Sequence, residues 1–397
     1  MNPYIIARMR GRVFSFLLKD QKAVEIHCDP ENAPEGILGN VYIGKVKNIA
    51  KNIQAAFVDI APGRTCYLPL DDLRQPIFTK KGVSKQIQAG DELVVQVSRE
   101  GIKTKFPSVT TNITFHGKFA LLTTGKAQLS VSSKLGKEKR EQLLSFLQEY
   151  RDEDGKYGWL LRTNAGSVSY EKIGEELAVL KNQYENLISQ SQYRTCYSCL
   201  LNMPPAYLAR LLDLYEESAD VFLTDDKELY DEIQEYLTVH QPEDLSKLSF
   251  YEDRLLPMDK LYSLEHQLSL ALQEKVWLNS GGYLIIQPTE ALTVIDVNTG
   301  KYEGGKKQEK TFLKINKEAA IEIARQLRLR NISGIIIIDF INMEEKQSVD
   351  ELLSLLNSEL HKDPIPTTLV DMTKLSLVEI TRKKKEKPLL QACREIS

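Results

Sequence analysis

The chain has 397 residues, 42% hydrophobic and 27% charged, the make-up of a folded protein of roughly two or three domains. That excludes a disordered tail or a low-complexity fibre. Its 52 Lys and Arg stand against 55 Asp and Glu, a formal charge of -3, so a globally basic nucleic-acid coat is excluded while a local basic patch is not.

The first hundred residues read as β-structure. Short apolar stretches (Tyr4 to Ile6, Val13 to Leu17, Ala23 to Ile26) precede a denser block over 40–70, broken at Gly44, Asn52 and the Pro62-Gly63 turn. A further strand is expected over 91–100. Five or so short strands within 36–115 match an OB-type barrel, a small closed sheet that often binds single-stranded nucleic acid. Phe57 and Tyr67 lie on these strands, where an aromatic either fills the core or stacks a base; Lys103 and Lys105 are candidates for phosphate contacts.

After residue 115 the pattern becomes mixed α/β. Strands are expected at 119–122 and 127–131 and a helix over 138–150. A second helix spans 170–189, with Ile173, Leu177, Leu180, Tyr184 and Leu187 on one 3.6-period face and Ser169 as its N-cap. Short helices follow near 207–215 and 228–237. The earliest strands are candidates to pair with this later region, which makes the barrel an insertion. From about residue 260 the order is a helix running into a strand (261–278), a hairpin across Pro288, a helix over 317–330, a buried strand in GIIIIDFI, a helix from Ser348 and a strand in TTLVDM: a layered α/β domain.

The sharpest chemical signal is Asp296. In Leu292 to Asn298 the chain alternates as a strand, so Asp296 and Asn298 project from one face. Asp339 follows four isoleucines, where a carboxylate is costly unless hydrogen bonds or a cation compensate it. If both strand ends are adjacent, two carboxylates and an amide form an oxygen-rich site for Mg2+, with Mn2+ as a substitute. Aspartates at strand ends are also common turn formers, and the two residues alone leave both readings open. The surroundings favour the metal. Residues 301–330 hold nine Lys or Arg against four Glu, among them Arg325 and Arg328, and a second basic run covers 382–387. A basic track beside an acidic pit suits an anionic polymer.

Five scattered cysteines read as reduced thiols of a cytoplasmic protein, and Cys196-Tyr197-Ser198-Cys199 has no partner pair for a metal. No apolar run reaches the roughly 20 residues that span a bilayer, so no membrane partner is expected. There is no P-loop and no GxGxxG.

With these residues in view, the chain resembles the ribonuclease E/G family of endoribonucleases. The likeness is strongest over 281–343 and continues in LSLVEITRKK (375–384), in GNVYIGKVKNIAKNIQAAFVDIAPGRTCYLPL and in GWLLRTNAG (158–166). The resemblance implies an RNase H-like domain (1–35 plus 190–260) with an inserted OB-type β-barrel (36–115), a 5′-sensor region (116–189) and a DNase I-like α/β catalytic domain (261–397). It implies catalytic Asp296 and Asp339 holding the metal with Asn298 beside them, and RNA contacts at Phe57, Tyr67 and Lys105. A 5′-phosphate sensor is implied at Arg162 and Thr163. Phe106-Pro107-Ser108 replaces the usual small, Gly-containing stretch after that lysine. The family's Cys-x-x-Cys zinc-link motif has no match after 382–387, where Cys393 is followed three further on by Ile396. No structural zinc is therefore expected, and a homodimer would use another surface. The function implied is Mg2+-dependent cleavage of single-stranded RNA to 5′-phosphate and 3′-hydroxyl ends, favouring 5′-monophosphorylated AU-rich substrates, in rRNA and tRNA processing and mRNA turnover. The alternative is an RNA-binding or ribosome-associated module with weak or lost catalysis.

Overall fold

The computed structural model describes residues 2–30, 37–82, 86–99, 101, 106–214, 219–300 and 308–394. Strands β1 (Pro3–Met9), β2 (Arg12–Lys19) and β3 (Lys22–Pro30) form an antiparallel meander. They are followed by β4 (Val41–Ala50), β5 (Ala55–Ala61), β6 (Arg64–Pro69), β7 (Phe78–Lys80), β8 (Glu92–Arg99) and β9 (Ser108–Thr110). Because β4 pairs with both β5 and β8, the order β4-β5-β6-β9-β8 closes on itself as a five-stranded barrel. Closure removes exposed edges, and alternate residues such as Val58, Ile60, Cys66 and Leu68 fill the interior.

Next come β10 (Thr114–His116), β11 (Ala120–Thr123), β12 (Leu129–Val131), α1 (Lys137–Leu147), β13 (Gly158–Leu161) and α2 (Tyr170–Tyr193), the strands ordered β10-β11-β13-β12. The expected apolar face of α2 is buried in one core with Phe115, Leu122 and Trp159, and the Ser169 side chain accepts the Lys172 N–H at the N-cap. β14 (Cys199–Leu201) pairs with β4, and α3 (Ala206–Ala209) follows.

The chain then returns to its beginning. β15 (Val221–Thr224) runs parallel to β1, and after α4 (Lys227–His240) β16 (Leu248–Phe250) runs parallel to β15, giving a sheet β16-β15-β1-β2-β3. The barrel thus lies, in sequence, between neighbours of a single sheet.

The last segment comprises α5 (Met258–Tyr262), α6 (Leu264–Leu272), β17 (Lys275–Trp277), β18 (Tyr283–Pro288), β19 (Leu292–Asn298), α7 (Gln308–Leu329), β20 (Gly334–Asp339), α8 (Lys346–His361), β21 (Thr367–Met372), β22 (Leu377–Arg382) and α9 (Leu389–Arg394). Its six strands are ordered β17-β18-β19-β20-β22-β21. Residues of α7 and α8 share a core with one sheet face, including Leu284, Ile295, Val297, Ile336, Ile338 and Ile380. The isoleucine run is therefore buried on one side only: Ile336 and Ile338 are fully enclosed while Ile335 is 51% exposed. Helix α7 also begins earlier than the 317–330 pattern predicts. Its first turns lack the apolar density of the later ones.

By internal contacts the chain divides into two compact units. One is Met1–Glu31 with Glu217–Leu237 and Glu243–Ser397; the other is Asn32–Glu216 with Thr238–Pro242. The whole is a multidomain α/β protein. All five cysteines are free thiols. Among the described residues no helix is long and apolar enough to cross a membrane.

Candidate active site

Asp296 is brought to Asp339 by the register of two parallel neighbours. β19 and β20 pair from Leu292↔Ile335 to Asp296↔Asp339, so the two carboxylates stand side by side at the carboxyl end of both strands. They share the sheet face away from α7 and α8, since Ile295, Val297, Ile336 and Ile338 point into the core and alternation turns Asp296 and Asp339 outward. Asp339 is exposed and Asp296 half-buried. The Asn298 amide donates to Asp296 Oδ2 at 2.7 Å, which orients the carboxylate.

The backbone around this end is tightly constrained. Gly300 has φ +70, and a Cβ there would collide with the Gly281 carbonyl; a Cβ on Gly282 would lie 2.8 Å from the Asn298 carbonyl. The 279–280 turn is tied down by Glu318 on α7, whose carboxylate accepts the N–H groups of Asn279 and Ser280 at 2.5 and 3.1 Å. On the other strand, Asn316 of α7 grips Ile341, two residues beyond Asp339, through donation to its carbonyl at 2.8 Å and acceptance from its N–H at 3.1 Å.

The donor chemistry fits a hard divalent cation. Two adjacent carboxylates, one exposed, supply oxygen ligands and leave room for several waters, the arrangement Mg2+ favours. Among the described residues no group of three or more His, Cys, Asp or Glu side chains is placed to share a metal, so the pair would hold its cation with few protein ligands.

The barrel carries an aromatic cluster. Phe57 and Tyr67 are opposed on β5 and β6 with ring centroids 6.2 Å apart, half-buried and alternating with the interior residues, so both face outward. Phe106 completes the cluster, 5.7 Å from Phe57 and 54% exposed. The residue pattern does not single it out for binding, although an aromatic beside Pro107 is a usable signal. Lys103 and Lys105 lie outside the described residues.

Arg162 follows β13 and is already engaged. Its guanidinium donates to the Gly117 carbonyl at 2.8 Å and to the Leu212 carbonyl at 3.4 Å, and forms an ion pair with Asp213. Thr163 shares a hydroxyl contact with Ser132 at 2.9 Å. Beneath them Glu176 accepts the N–H groups of Lys118, Phe119 and Ala120 at 2.7–2.8 Å; burial nonetheless raises its carboxyl above the ordinary value.

Several basic side chains of the expected track have partners within the fold. Arg325 directs Nε and Nη2 at Glu322 (2.9 and 2.6 Å) and Nη1 at the Ala23 carbonyl (2.7 Å), so its donors serve the fold; Arg328 is half-buried. Lys317 is paired with Glu351. Arg330 is buried, which pushes its guanidinium down to about 10. In the second run Arg382 is buried against Asp363, Asn331 and the Ile332 carbonyl, leaving Lys383, Lys384 and Lys385 exposed. Local charge is a sum over side chains, and the sum does not reveal which of them the fold has already neutralised.

The pattern of the ribonuclease E/G family matches residues 114–385. Ribonuclease G of Salmonella typhimurium (strain SL1344) is 36% identical over 372 residues, covering 91% of this chain and 75% of that protein. Ribonuclease G of Escherichia coli (strain K12) is 35% identical with the same coverage. Ribonuclease E of Nostoc sp. (strain PCC 7120) is 35% identical over 87% of this chain and 51% of its own length. Similarity sustained over nine-tenths of the chain, through the strands that carry the paired aspartates, means that this protein belongs to the ribonuclease E/G family and is an endoribonuclease.

Proposed function

We propose that this endoribonuclease cleaves single-stranded RNA in a Mg2+-dependent reaction at Asp296 and Asp339, giving 5′-phosphate and 3′-hydroxyl ends. The observation that carries the reading is the Asp296↔Asp339 register on an open sheet face. The two carboxylates would hold the metal, with Mn2+ as a substitute, and Asn298 fixes the orientation of Asp296. When bound, such a metal neutralises charge on the phosphoryl oxygens and lowers the pKa of water. The residues themselves set the geometry: the glycine contacts at 281–282 and 300 fix the exit of β19, and Asn316 fixes the exit of β20.

The six-stranded sheet with α7 and α8 on one face supports a DNase I-like catalytic domain. The sheet β16-β15-β1-β2-β3 supports an RNase H-like one, with the barrel as an OB-type RNA clamp. Phe57, Tyr67 and Phe106 would stack bases there. Arg162 and Thr163 would receive a 5′-monophosphate, a fork-shaped donor set suited to phosphate. The free thiols fit a cytoplasmic enzyme of rRNA and tRNA processing and mRNA turnover.

The test is cleavage of a short AU-rich single-stranded RNA carrying a 5′-monophosphate or a 5′-hydroxyl, with Mg2+ and with EDTA, by the native protein and by D296N and D339N. Cleavage is expected to need the metal and to fall about a thousand-fold or more in each variant, because charge stabilisation of this kind contributes several kcal/mol. RNA binding is retained. Asn298→Ala is expected to lose about 10–100-fold, as for a residue that orients a ligand. Native rates in both aspartate variants would refute the site; equal rates on the two 5′ ends would remove the sensor.

A further inference from the structure

A second aromatic group lies on the same sheet face as the paired aspartates. Trp277 on the edge strand β17 is 65% exposed, an unusual setting for the largest apolar side chain. Its ring meets Tyr283 of β18 edge-on at 5.4 Å, and Lys275 Nζ sits over both rings, 4.0 Å from the Trp277 centroid and 3.7 Å from that of Tyr283.

Strand register places this group. Trp277 is opposite Tyr283, Tyr283 is opposite Asn298, and Lys275 leads through Ile285 to Asp296. Opposed residues share a face, so Lys275, Trp277, Tyr283, Asn298, Asp296 and Asp339 all project from one side. The other side of β18 and β19, with Leu284, Ile286, Ile295 and Val297, is buried. With strands about 4.8 Å apart, Trp277 is about 10 Å from Asn298, two strands away. An exposed indole with an ammonium held against it suits a single-stranded nucleic acid: the ring offers a face to a base and the ammonium a charge to its phosphate.

We propose that Trp277, Tyr283 and Lys275 form a base-stacking subsite for a nucleotide flanking the scissile phosphate, a proposal resting on the reading of Asp296 and Asp339 as the cleavage centre. The subsite holds the strand beside the cut, with Trp277 two to three strands from the aspartates, independently of the barrel aromatics. It stacks any base, since every base presents a π-face, and so sets position rather than sequence.

The experiment uses the full chain and a short AU-rich 5′-monophosphorylated RNA. W277A is expected to raise KM about ten-fold with kcat within about two-fold, W277F to recover most of the loss, and Lys275→Gln to lower the salt dependence of binding by about one neutralised phosphate. A set of RNAs with one abasic nucleotide stepped past the cut supplies the readout that a structural role would not move. At one position the abasic substitution is expected to raise KM for the native protein and to leave W277A unaffected. Binding is followed separately by tryptophan fluorescence in D339N. The chain has two tryptophans and Trp159 is buried, so quenching by RNA that is lost in W277F reports Trp277. Unchanged KM in W277A, or W277A and abasic losses that multiply at every position, would overturn the subsite. Native cleavage by D296N and D339N would instead remove the cleavage-centre reading, a separate result.

Discussion

Asn316 holds the backbone of Ile341 by both of its polar groups: its amide donates to the carbonyl and its oxygen accepts from the N–H. Asn316 is fully buried, and Ile341 follows Asp339 by two residues. The helix between the two aspartate strands thereby sets the path of the chain as it leaves the second one. Replacing Asn316 by Leu leaves two half-buried backbone groups of Ile341 without this partner. A stability loss of about 1–3 kcal/mol is expected from denaturant midpoints. Cleavage under conditions where the variant is fully folded should fall about 10–100-fold, the range typical of residues that support metal ligands. Native cleavage by the folded variant would show that the chain beyond Asp339 does not need this hold.

Arg162 is ion-paired with Asp213, so on the proposed reading a 5′-phosphate competes with this carboxylate for the guanidinium. Asp213→Asn keeps the shape and removes the competing charge. Preference for 5′-monophosphate over 5′-hydroxyl RNA is expected to increase about three- to ten-fold in Asp213→Asn and to vanish in Arg162→Ala. The ratio of kcat/KM for the two RNAs measures it, and a ratio indifferent to both changes would separate Arg162 from end recognition.

The two ends of the basic run 382–387 should behave oppositely. Arg382 is buried with Asp363, donating from Nε at 2.7 Å, and Arg382→Leu removes the counter-charge of a buried carboxylate that the Ile365 N–H and the Thr367 hydroxyl still donate to. A loss of about 3–5 kcal/mol is expected, visible in urea unfolding. Replacing the exposed Lys383, Lys384 and Lys385 by Gln is expected to leave stability within about 0.5 kcal/mol. RNA affinity should then weaken uniformly across sequences, and the salt slope should fall by about one for each phosphate these lysines neutralise. An unchanged salt slope would exclude them from the RNA track.

Cys28 should be the reactive thiol. A hydrogen bond from Cys393 and, against the opposing effect of burial, another from Arg12 Nη1 at 3.4 Å lower its pKa to about 7. Burial instead pushes Cys66 up to about 11. Because the thiolate is the nucleophile, iodoacetamide labelling of Cys28 is expected to rise through a midpoint near pH 7, while Cys66 stays unlabelled in the folded protein. Cys393→Ala removes the main donor and should move the Cys28 midpoint upward. Mass-spectrometric labelling against pH reads both, and a midpoint unmoved by Cys393→Ala would discard this account.

Much of the local structure was legible in the residues. The period of α2 is set by Ile173, Leu177, Leu180, Tyr184 and Leu187, and the alternation around Asp296 puts Asn298 on its face, because both patterns follow from the geometry of one element. The Asn52 and Pro62-Gly63 turns separate β4, β5 and β6 and the 91–100 run marks β8, whereas Gly44, expected as a break, lies inside β4, and the three-residue β9 carries no apolar run of its own. Asp339 was conspicuous as a charge after four isoleucines. Strand β22 was less visible, since the chain around it continues into a run of lysines and carries no turn signal of its own.

What the sequence by itself determined is the inventory: which elements form, which face of each is apolar, and which side chains could carry chemistry. Only the tertiary structure decided their partners. The pairing of Asp296 with Asp339 depends on how α7 packs its Ile315, Ala319 and Ile323 stripe against the sheet, a long-range fit that no local window contains. Arg325 and Arg382 look in sequence like their basic neighbours, yet one is bound to Glu322 and the Ala23 carbonyl and the other is buried with Asp363. Trp277 reads as an ordinary strand residue until its place on an edge strand of the aspartate sheet is known. Periodicity reports a residue's own element, whereas contact between elements is settled by packing and register across the fold.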